Sequence, residues 1–492
     1  MDISMNISGM HLSPRETQEQ ASGDISQILA DALERQKTSL GSEAPVGRKV
    51  RQDRLDRAIA LLIDHRKEFI AALDQDYGPR TEEITLMADI LPSVQALKHA
   101  RKNVGKWMKR DRRSPTFPLG LLGARAWVDY KPKGVVGIIS PWNFPVNMIF
   151  APLAGALAAG NRVMIKPSEH VPVTSELIRR LVAEYFSPEE VAVFTGGIEV
   201  SEAFCRLKLD HIFYTGSGTV GRLVMKAAAE NLVPVTLELG GKSPVVILPD
   251  CDIGDVALKI ASAKMANAGQ ICVAPDYVFV QKDKLSALTD ALIARAEEIY
   301  PERPDVPKYT AIINEQQKQR LEGYLQDARE KGADIRTTKT YIDRFDNILP
   351  FHVITGVNDD MAIMKDEIFG PLLPVIPYDS IDQVIAYINA RPRPLALYVM
   401  GRGKDGEVIR QRVISGGMAY DEFLMHVAQE DLPFGGSGAS GMGNYHGLEG
   451  FRTFSHSMSI FRRGPFDIMG LLQGRPPFGS RFRAYIKQEL KK

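Results

Sequence analysis

Apolar residues recur three and four apart through Arg54-Leu55-Asp56-Arg57-Ala58-Ile59-Ala60-Leu61-Leu62-Ile63, with charges between them. That is the period of an amphipathic helix, and it predicts one helix from about Arg48 to Leu73. The same reading predicts helices over Ile28–Leu40, stopped by Gly41, Pro45 and Gly47, and from Glu82 to about Lys109. Residues 1–25 are polar without apolar period and read as a flexible extension. Ser114-Pro115-Thr116-Phe117-Pro118-Leu119-Gly120 then breaks the helical pattern, and Ala124–Tyr130 alternates as a strand.

Beyond Tyr130 short apolar runs alternate with helices. Strands are predicted at Val135–Ile139, Arg162–Lys166, Val191–Thr195, His211–Tyr214, Val235–Glu238 and Val245–Leu248, with helices at Met148–Ala158, Ser175–Phe186 and Gly221–Asn231. The fold class is therefore α/β, with a mostly parallel, doubly wound sheet whose ligands sit at strand carboxyl ends. A second series has helices at Val256–Ala266, Leu285–Ile299, Glu315–Lys331 and Ser380–Ala390. Its strands are Asp276–Gln281, His352–Ile354, Leu373–Pro377 and Leu395–Met400. The chain ends in a Pro-, Gly- and Arg-rich tail with one short basic helix, Arg481–Lys492. Gly134–Asn161 holds no charge and is long enough for a bilayer, but Pro141, Pro145 and Pro152 would break a spanning helix. It reads as a buried strand, a turn and a buried helix.

Composition narrows the function. The 492 residues, 44% hydrophobic and 25% charged, fit a globular chain of two or three domains. A formal net charge of +1 leaves no basic footprint for nucleic acid. Cys205, Cys251 and Cys272 lack metal-ligand spacing, so reduced thiols are expected, with neither a disulfide framework nor a metal. The polar N-terminus carries no apolar leader, and the expected address is the cytoplasm.

Candidate chemistry lies in a few stretches. Asn267-Ala268-Gly269-Gln270-Ile271-Cys272-Val273-Ala274-Pro275 sets one cysteine among small and apolar residues, where inert burial is the commoner role. Glu238-Leu239-Gly240-Gly241-Lys242 offers a carboxylate beside glycines that admit close ligand approach, so a nucleophile and a base are available together. Thr215-Gly216-Ser217-Gly218-Thr219-Val220-Gly221 is a G-x-G-x-x-G between a strand and a helix, the setting for phosphate, or else a ligand-free turn. In Pro141-Trp142-Asn143-Phe144-Pro145 two prolines restrict the backbone around Asn143, whose amide could serve an oxyanion or only a tight turn. Lys166-Pro167-Ser168-Glu169 could hold ribose hydroxyls or sit in solvent. Asp366-Glu367-Ile368-Phe369-Gly370-Pro371 and Pro433–Gly438 add two more glycine–proline turns.

Together these stretches resemble the aldehyde dehydrogenase superfamily, with blocks in the family's order from Pro141 to Phe454 and general similarity back to about Leu29. The ending Gly441-Met442-Gly443-Asn444-Tyr445-His446-Gly447, followed by Gly450-Phe451-Arg452-Thr453-Phe454-Ser455-His456, looks like its class 3 branch, most similar to the bacterial coniferyl aldehyde dehydrogenases. The resemblance implies a Rossmann-like cofactor domain (26–112 and 133–242) and a second α/β catalytic domain (243–456). It also implies a small β oligomerisation arm (113–132 and 457–475), with 476–492 as a basic C-terminal helix. By resemblance, Cys272 is the nucleophile, Glu238 the general base, and Asn143 with the Cys272 backbone amide the oxyanion hole. Lys166 and Glu169 would hold the adenosine ribose, Gly216 and Ser217 the pyrophosphate, and Glu367 the nicotinamide ribose, with Trp142 and Phe369 lining the cofactor cleft. The implied cofactor is NAD, with NADP also possible. The implied substrate is an aromatic or medium-chain aldehyde, and the implied assembly a homodimer without stable membrane insertion.

The chain departs from relatives at Asp421-Glu422, where they usually show Asn-Asp, and bulky Phe423 follows. Gly218-Thr219 is unusual in the cofactor turn, and Ile271 stands where close relatives more often carry Thr. Phe423 and Ile271 are expected to shape the aldehyde tunnel. Two other functions are set against the oxidation of an aldehyde to its acid. A CoA-acylating enzyme would lack the base, and a non-catalytic binding protein on the same fold would be expected to have lost Cys272, Glu238 or Asn143.

Overall fold

Val135–Ile139 is buried at all five positions, as are its neighbours Arg162–Lys166 and His211–Thr215. Strands buried on both faces belong inside a parallel sheet covered by helices. The computed structural model places them there; it describes residues 14–42, 45–301, 309–339 and 347–491, with the backbone alone over 14–24. In spatial order this six-stranded sheet runs Gly441–Met442, Val235–Glu238, His211–Thr215, Val135–Ile139, Arg162–Lys166, Val191–Val193. Only the Gly441–Met442 edge is antiparallel. The chain starts in the middle, moves outward to Val191–Val193, then returns on the other side with His211–Thr215. The strand order thus reverses beside Val135–Ile139, and such a reversal opens a crevice at the strand carboxyl ends.

A seven-stranded sheet runs Asp334–Thr337, His352–Thr355, Leu372–Tyr378, Tyr277–Gln281, Pro244–Ile247, Ala396–Met400, Gly417–Tyr420, with only the first pair antiparallel. It meets the first sheet by its strand starts. Segments 239–243, 270–276, 366–371 and 392–395 lead into four of its strands, and each supplies residues to the crevice. A third sheet pairs Arg125–Pro132 antiparallel with Asp111–Arg113 and with Ser455–Arg462.

Departures from the periodicity have local reasons. The helix expected over 48–73 is two, Arg48–Asp64 and Arg66–Tyr77, parted at His65, whose Nδ1 lies 2.6 Å from Glu68 Oε1. The strand expected at Val245–Leu248 is Pro244–Ile247 of the second sheet, because an apolar run reports burial and not sheet membership. The first helix spans Pro14–Ser42 and starts ahead of Ile28. The rest of the expected flexible extension, residues 1–13, lies outside the described residues. So does Lys492 of the expected basic C-terminal helix, which runs Ser480–Glu489. Helices Ile198–Cys205 and Lys404–Arg412 and strand Gly417–Tyr420 are too short to carry a readable period. The uncharged stretch is a strand, a turn and the helix Asn147–Ala159, and no described helix is long and apolar enough to cross a membrane.

Glu190 ties the helical layer to the first sheet. It accepts from Arg54 Nε at 2.9 Å and from Arg57 Nη1 and Nη2 at 2.8 and 3.0 Å. Burial alone would raise its carboxyl, but Arg57 and Arg54 together bring it down to about 2 from 4.5. A folded pKa below the unfolded one stabilises the protein above about pH 4.5, and that contribution fades as the pH falls toward 2. Glu190→Gln is therefore expected to cost on the order of 1–2 kcal/mol at neutral pH, less than the full shift because the carboxylate is partly solvated and screened. Urea unfolding would show a loss that shrinks below pH 4.5; a loss independent of pH would contradict this origin.

Candidate active site

The helix Ile253–Met265 ends in three consecutive left-handed residues, Asn267 (φ 48°), Ala268 (φ 53°) and Gly269 (φ 71°). A Cβ on Gly269 would overlap the Gly370 carbonyl, so glycine is needed there. Left-handed geometry at Asn267 and Ala268 costs on the order of 1–2 kcal/mol each and persists only where the surroundings hold it. Gln270 does much of the holding. Its Nε2 donates to Asn267 O and Ala311 O, both at 3.0 Å, and its Oε1 accepts from Ile313 N at 3.0 Å. Beyond the cysteine, Tyr398 OH donates to Val273 O at 2.6 Å. Cys272 is thus fixed from both sides and left partly accessible in the crevice.

Asn143 is buried beside it and donates through Nδ2 to Gln270 O at 3.1 Å. An amide has two N–H donors, so this bond orients the group without exhausting it. Behind Asn143 stands the buried Arg80–Asp89 pair, 2.7 Å apart, with Asp89 Oδ1 accepting from Val146 N and Asn147 N. Tyr77 OH donates to both Trp142 O and Asn143 O at 2.9 Å. The Pro-Trp-Asn turn is therefore rigid for reasons beyond its prolines.

Glu238 ends the strand Val235–Glu238, and neither carboxylate oxygen has a hydrogen-bond partner among the described residues. Burial pushes its carboxyl well above the usual range. Glu367 reaches the same crevice; burial, then Asp276, pushes it up to about 8. A Cβ on Gly240 would overlap Glu367 Oε2, so the glycine makes room for the carboxylate. Burial, then Glu367 and Glu238, pushes the Cys272 thiol up to about 12. The resting thiol is accordingly protonated at neutral pH. Iodoacetamide alkylation of the Cys272 peptide is expected to be slow at neutral pH and still climbing near pH 10; a plateau by pH 8 would contradict the assigned surroundings.

The crevice encloses about 660 Å³ and is lined by Trp142, Asn143, Gly216, Ser217, Glu238, Cys272, Glu367 and Phe369. That volume falls within the range of cofactor sites. At one end is the N-terminus of the helix Gly218–Glu230, where Ser217 Oγ accepts from Val220 N at 3.3 Å and keeps its own proton to donate. Trp142 and Phe369 meet edge to face at 5.3 Å, with Phe369 held at φ 50°. Glu367 Oε1 is buried and lacks a partner among the described residues, as a carboxyl awaiting a ligand hydroxyl would be. These features fit a dinucleotide.

Lys166 and Glu169 are outside that lining, at the adjoining strand end, where Ser140 N donates to Lys166 O at 3.1 Å. Buried Lys166 donates from Nζ to Glu169 Oε2 at 3.1 Å and to Pro167 O at 2.8 Å. Burial works to raise the Glu169 carboxyl, but its hydrogen bonds and Lys166 hold it below the usual range.

Sequence reasoning assigned no role to Lys242, Asp276 and Arg320. Lys242 Nζ donates to Asp276 Oδ1, to Ile363 O at 2.7 Å and to Asp366 O at 2.9 Å, while Arg320 donates to Ile368 O at 2.9 Å. The two cations hold the loop that carries Glu367. Lys242 was visible within its glycine motif and Asp276 just after the cysteine segment; Arg320 has no local signal. Phe423 and Ile271 do not line the crevice. Phe423 is buried with its ring 4.7 Å from Tyr398, so it braces the segment behind Cys272, and Asp421 Oδ1 is taken by Gly401 N at 2.7 Å.

A crevice with a helix N-terminus at one end and a thiol beside two carboxyls at the other has the layout of a nucleotide-dependent oxidoreductase with a cysteine nucleophile. The model of the aldehyde dehydrogenase family matches residues 15–460. A Caulobacter vibrioides protein named "Probable coniferyl aldehyde dehydrogenase" is 45% identical over 471 residues, 94% of this chain and 97% of its own. The substrate-bound state of Staphylococcus aureus AldH is similar with a TM-score of 0.87 and 35% identity, covering 94% of this chain and 99% of that one. The NAD+ complex of a Bacillus cereus aldehyde dehydrogenase has a TM-score of 0.80 and 26% identity, covering 89% of each. The chain belongs to the aldehyde dehydrogenase family. It is an NAD(P)-dependent oxidoreductase that converts an aldehyde to the carboxylic acid.

Proposed function

We propose that the substrate is an aromatic aldehyde of the coniferyl type, with Cys272, Glu238 and Asn143 as the catalytic residues. The observation carrying the catalytic assignment is the convergence of a strained, braced thiol, an unpartnered buried acid and an oriented amide on one crevice. The name of the C. vibrioides relative supports the substrate class. Medium-chain alkanals are the second reading.

In this mechanism the Cys272 thiol gives up its proton to water as its sulfur adds to the carbonyl carbon, and Asn143 with the Cys272 backbone amide stabilises the oxyanion, about 3–4 kcal/mol per donor. NAD+, when bound, supplies the hydride acceptor, and hydride loss leaves the acyl group as a thioester on Cys272. Glu238 takes a proton from water, which attacks the thioester and frees the acid and the thiol. Glu238 must be ionised for that step, so its raised pKa places the acid-side loss of turnover above the ordinary carboxylate range. Ser217 and the following helix would hold the pyrophosphate, Glu367 the nicotinamide ribose, and Lys166 with Glu169 the adenosine ribose; Trp142, Gly216 and Phe369 shape the cleft. Glu169 favours NAD over NADP, because a 2′-phosphate would meet its negative charge.

Product analysis with and without CoA tests the hydrolytic reading. Free acid in both is expected; acyl-CoA formation that requires CoA would overturn it. We place the enzyme in the cytoplasm as a homodimer, a reading supported by three free thiols and by the exposed edge strand Ser455–Arg462. Light scattering showing a monomer would sink the dimer. The proposed domains are 26–112 with 133–242, 243–456, and the arm 113–132 with 457–475.

A further inference from the structure

Asn143 is held by its backbone even more firmly than by its side chain. Its carbonyl oxygen accepts from Tyr77 OH at 2.9 Å, from Asn267 Nδ2 at 3.3 Å and from Arg80 Nη1 at 3.4 Å. A carbonyl oxygen has two lone pairs, so these donors saturate it. They come from separate stretches of chain. Tyr77 ends the helix Arg66–Tyr77, Arg80 lies in the segment after it, and Asn267 belongs to the left-handed turn before Cys272. Asn267 Nδ2 and Asn143 Nδ2 also share one acceptor, Gln270 O, at 3.3 and 3.1 Å. The amide and the thiol segment are therefore joined through both the backbone and the side chain of Asn143.

The groups that hold Asn143 are themselves fixed. Gly78 at φ 84° ends the helix at Tyr77, and Arg80 N donates to Asp74 Oδ1 at 3.0 Å, which folds the segment back onto that helix. The Arg80 guanidinium lies 4.6 Å from the centre of the Tyr77 ring and 5.5 Å from that of Phe144. Asp89, its ion-pair partner, sits in a π-helical turn, Leu86–Ile90, a rare geometry found mostly as single turns inside α-helices. The other Asp89 oxygen holds Val146 N at 3.0 Å and Asn147 N at 3.2 Å. The pair thus grips the turn on both sides of Pro145. A fully buried ion pair is a poor device for stability alone, since apolar residues of the same volume often serve as well.

We infer that Tyr77 and the Arg80–Asp89 pair are positioning residues for the oxyanion step. By fixing the Asn143 peptide they aim its remaining amide N–H at the carbonyl oxygen of an aldehyde on Cys272. The inference rests on the assignment of Asn143 as an oxyanion donor. Asn143 and Cys272 line the crevice, whereas Tyr77, Arg80 and Asp89 do not, so the three act through Asn143 and touch no reacting atom. Their effect falls on rate. A displaced donor loses transition-state stabilisation and leaves ground-state binding as it was.

Tyr77→Phe keeps the ring beside Arg80 and removes only the hydroxyl. NADH formation in a single turnover, at saturating NAD and aromatic aldehyde, is expected to slow about tenfold, with the apparent affinity for each ligand within about twofold. Asn143→Ala should slow the same step about 10²–10³-fold. Adding Tyr77→Phe to Asn143→Ala should then change the rate by less than about twofold, because no amide is left to aim. Arg80→Met combined with Asp89→Asn removes the charges but keeps an acceptor for Val146 N and Asn147 N, and its effect should depend on Asn143 in the same way. Equal losses with and without the Asn143 amide would make the network structural only and overturn the inference, as would a wild-type rate in Tyr77→Phe. Weaker NAD affinity with an undiminished saturated rate would also overturn it, since Tyr77 would then act through Trp142, whose carbonyl it holds at 2.9 Å. If Asn143→Ala itself keeps the wild-type rate, the oxyanion assignment fails and takes the inference with it. Thermal melts of each variant keep misfolding distinct from lost positioning.

Discussion

Cys272→Ala is expected to abolish aldehyde oxidation, with kcat falling by roughly 10⁴-fold or more, as when a covalent nucleophile is removed elsewhere. The fold should survive, because Cys272 is partly accessible and the turn before it is held by Gln270 and by Asn267 Nδ2, which donates to Asn143 O at 3.3 Å. Cofactor affinity, read by fluorescence titration with NAD, should stay within about threefold, since the phosphate and ribose contacts are proposed to come from other residues. Substantial residual turnover would mean that the thiol is not the nucleophile. Cys205 and Cys251 offer no substitute, since neither lines the crevice.

The second large effect is at Glu238. Glu238→Gln is expected to leave the first half of the reaction working and stop the second. One equivalent of NADH per site should appear in a burst, followed by a steady rate lower by about 10²–10⁴-fold. The wild type should lose turnover as the pH falls through the raised Glu238 pKa, because the protonated acid cannot accept a proton from water. The variant's residual steady rate should lack that limb. A steady rate unchanged from the wild type would remove Glu238 from the deacylation step.

The scaffold of this site was largely legible in the chain. Val135–Ile139, Arg162–Lys166 and His211–Thr215 are apolar runs bounded by turn residues, and runs of that kind say "interior strand" without help from distant contacts. The glycine motif announced the turn, the cap and the helix N-terminus at one end of the crevice because each of these is local. What could not be read was how the segments are pinned to one another. Gln270 reaches Ala311 and Ile313, Lys242 reaches Ile363 and Asp366, and Tyr398 reaches Val273, each across a long stretch of chain with no periodic signature. The Val245–Leu248 strand shows the same limit, since its burial was plain but its sheet was not.

Electrostatics were illegible for a related reason. A cysteine and a glutamate in the sequence suggest a thiolate and a carboxylate. Their burial beside one another, with Glu367 as a third acid, keeps the thiol protonated at neutral pH and raises the Glu238 carboxyl well above the usual carboxylate range. Phe423 and Ile271, expected in the aldehyde tunnel, are buried and do not line the crevice.

The central claim is an acyl thioester on one particular sulfur. Glu238→Gln enzyme mixed with an aromatic aldehyde and NAD, quenched in acid and digested, can be read by mass spectrometry. The expected result is a stoichiometric acyl adduct that adds the aldehyde mass less two hydrogens (the hydride and the thiol proton) to the peptide carrying Cys272 and is absent when NAD is omitted. An adduct on the Cys205 or Cys251 peptide, or NADH formed with no adduct at all, would contradict it.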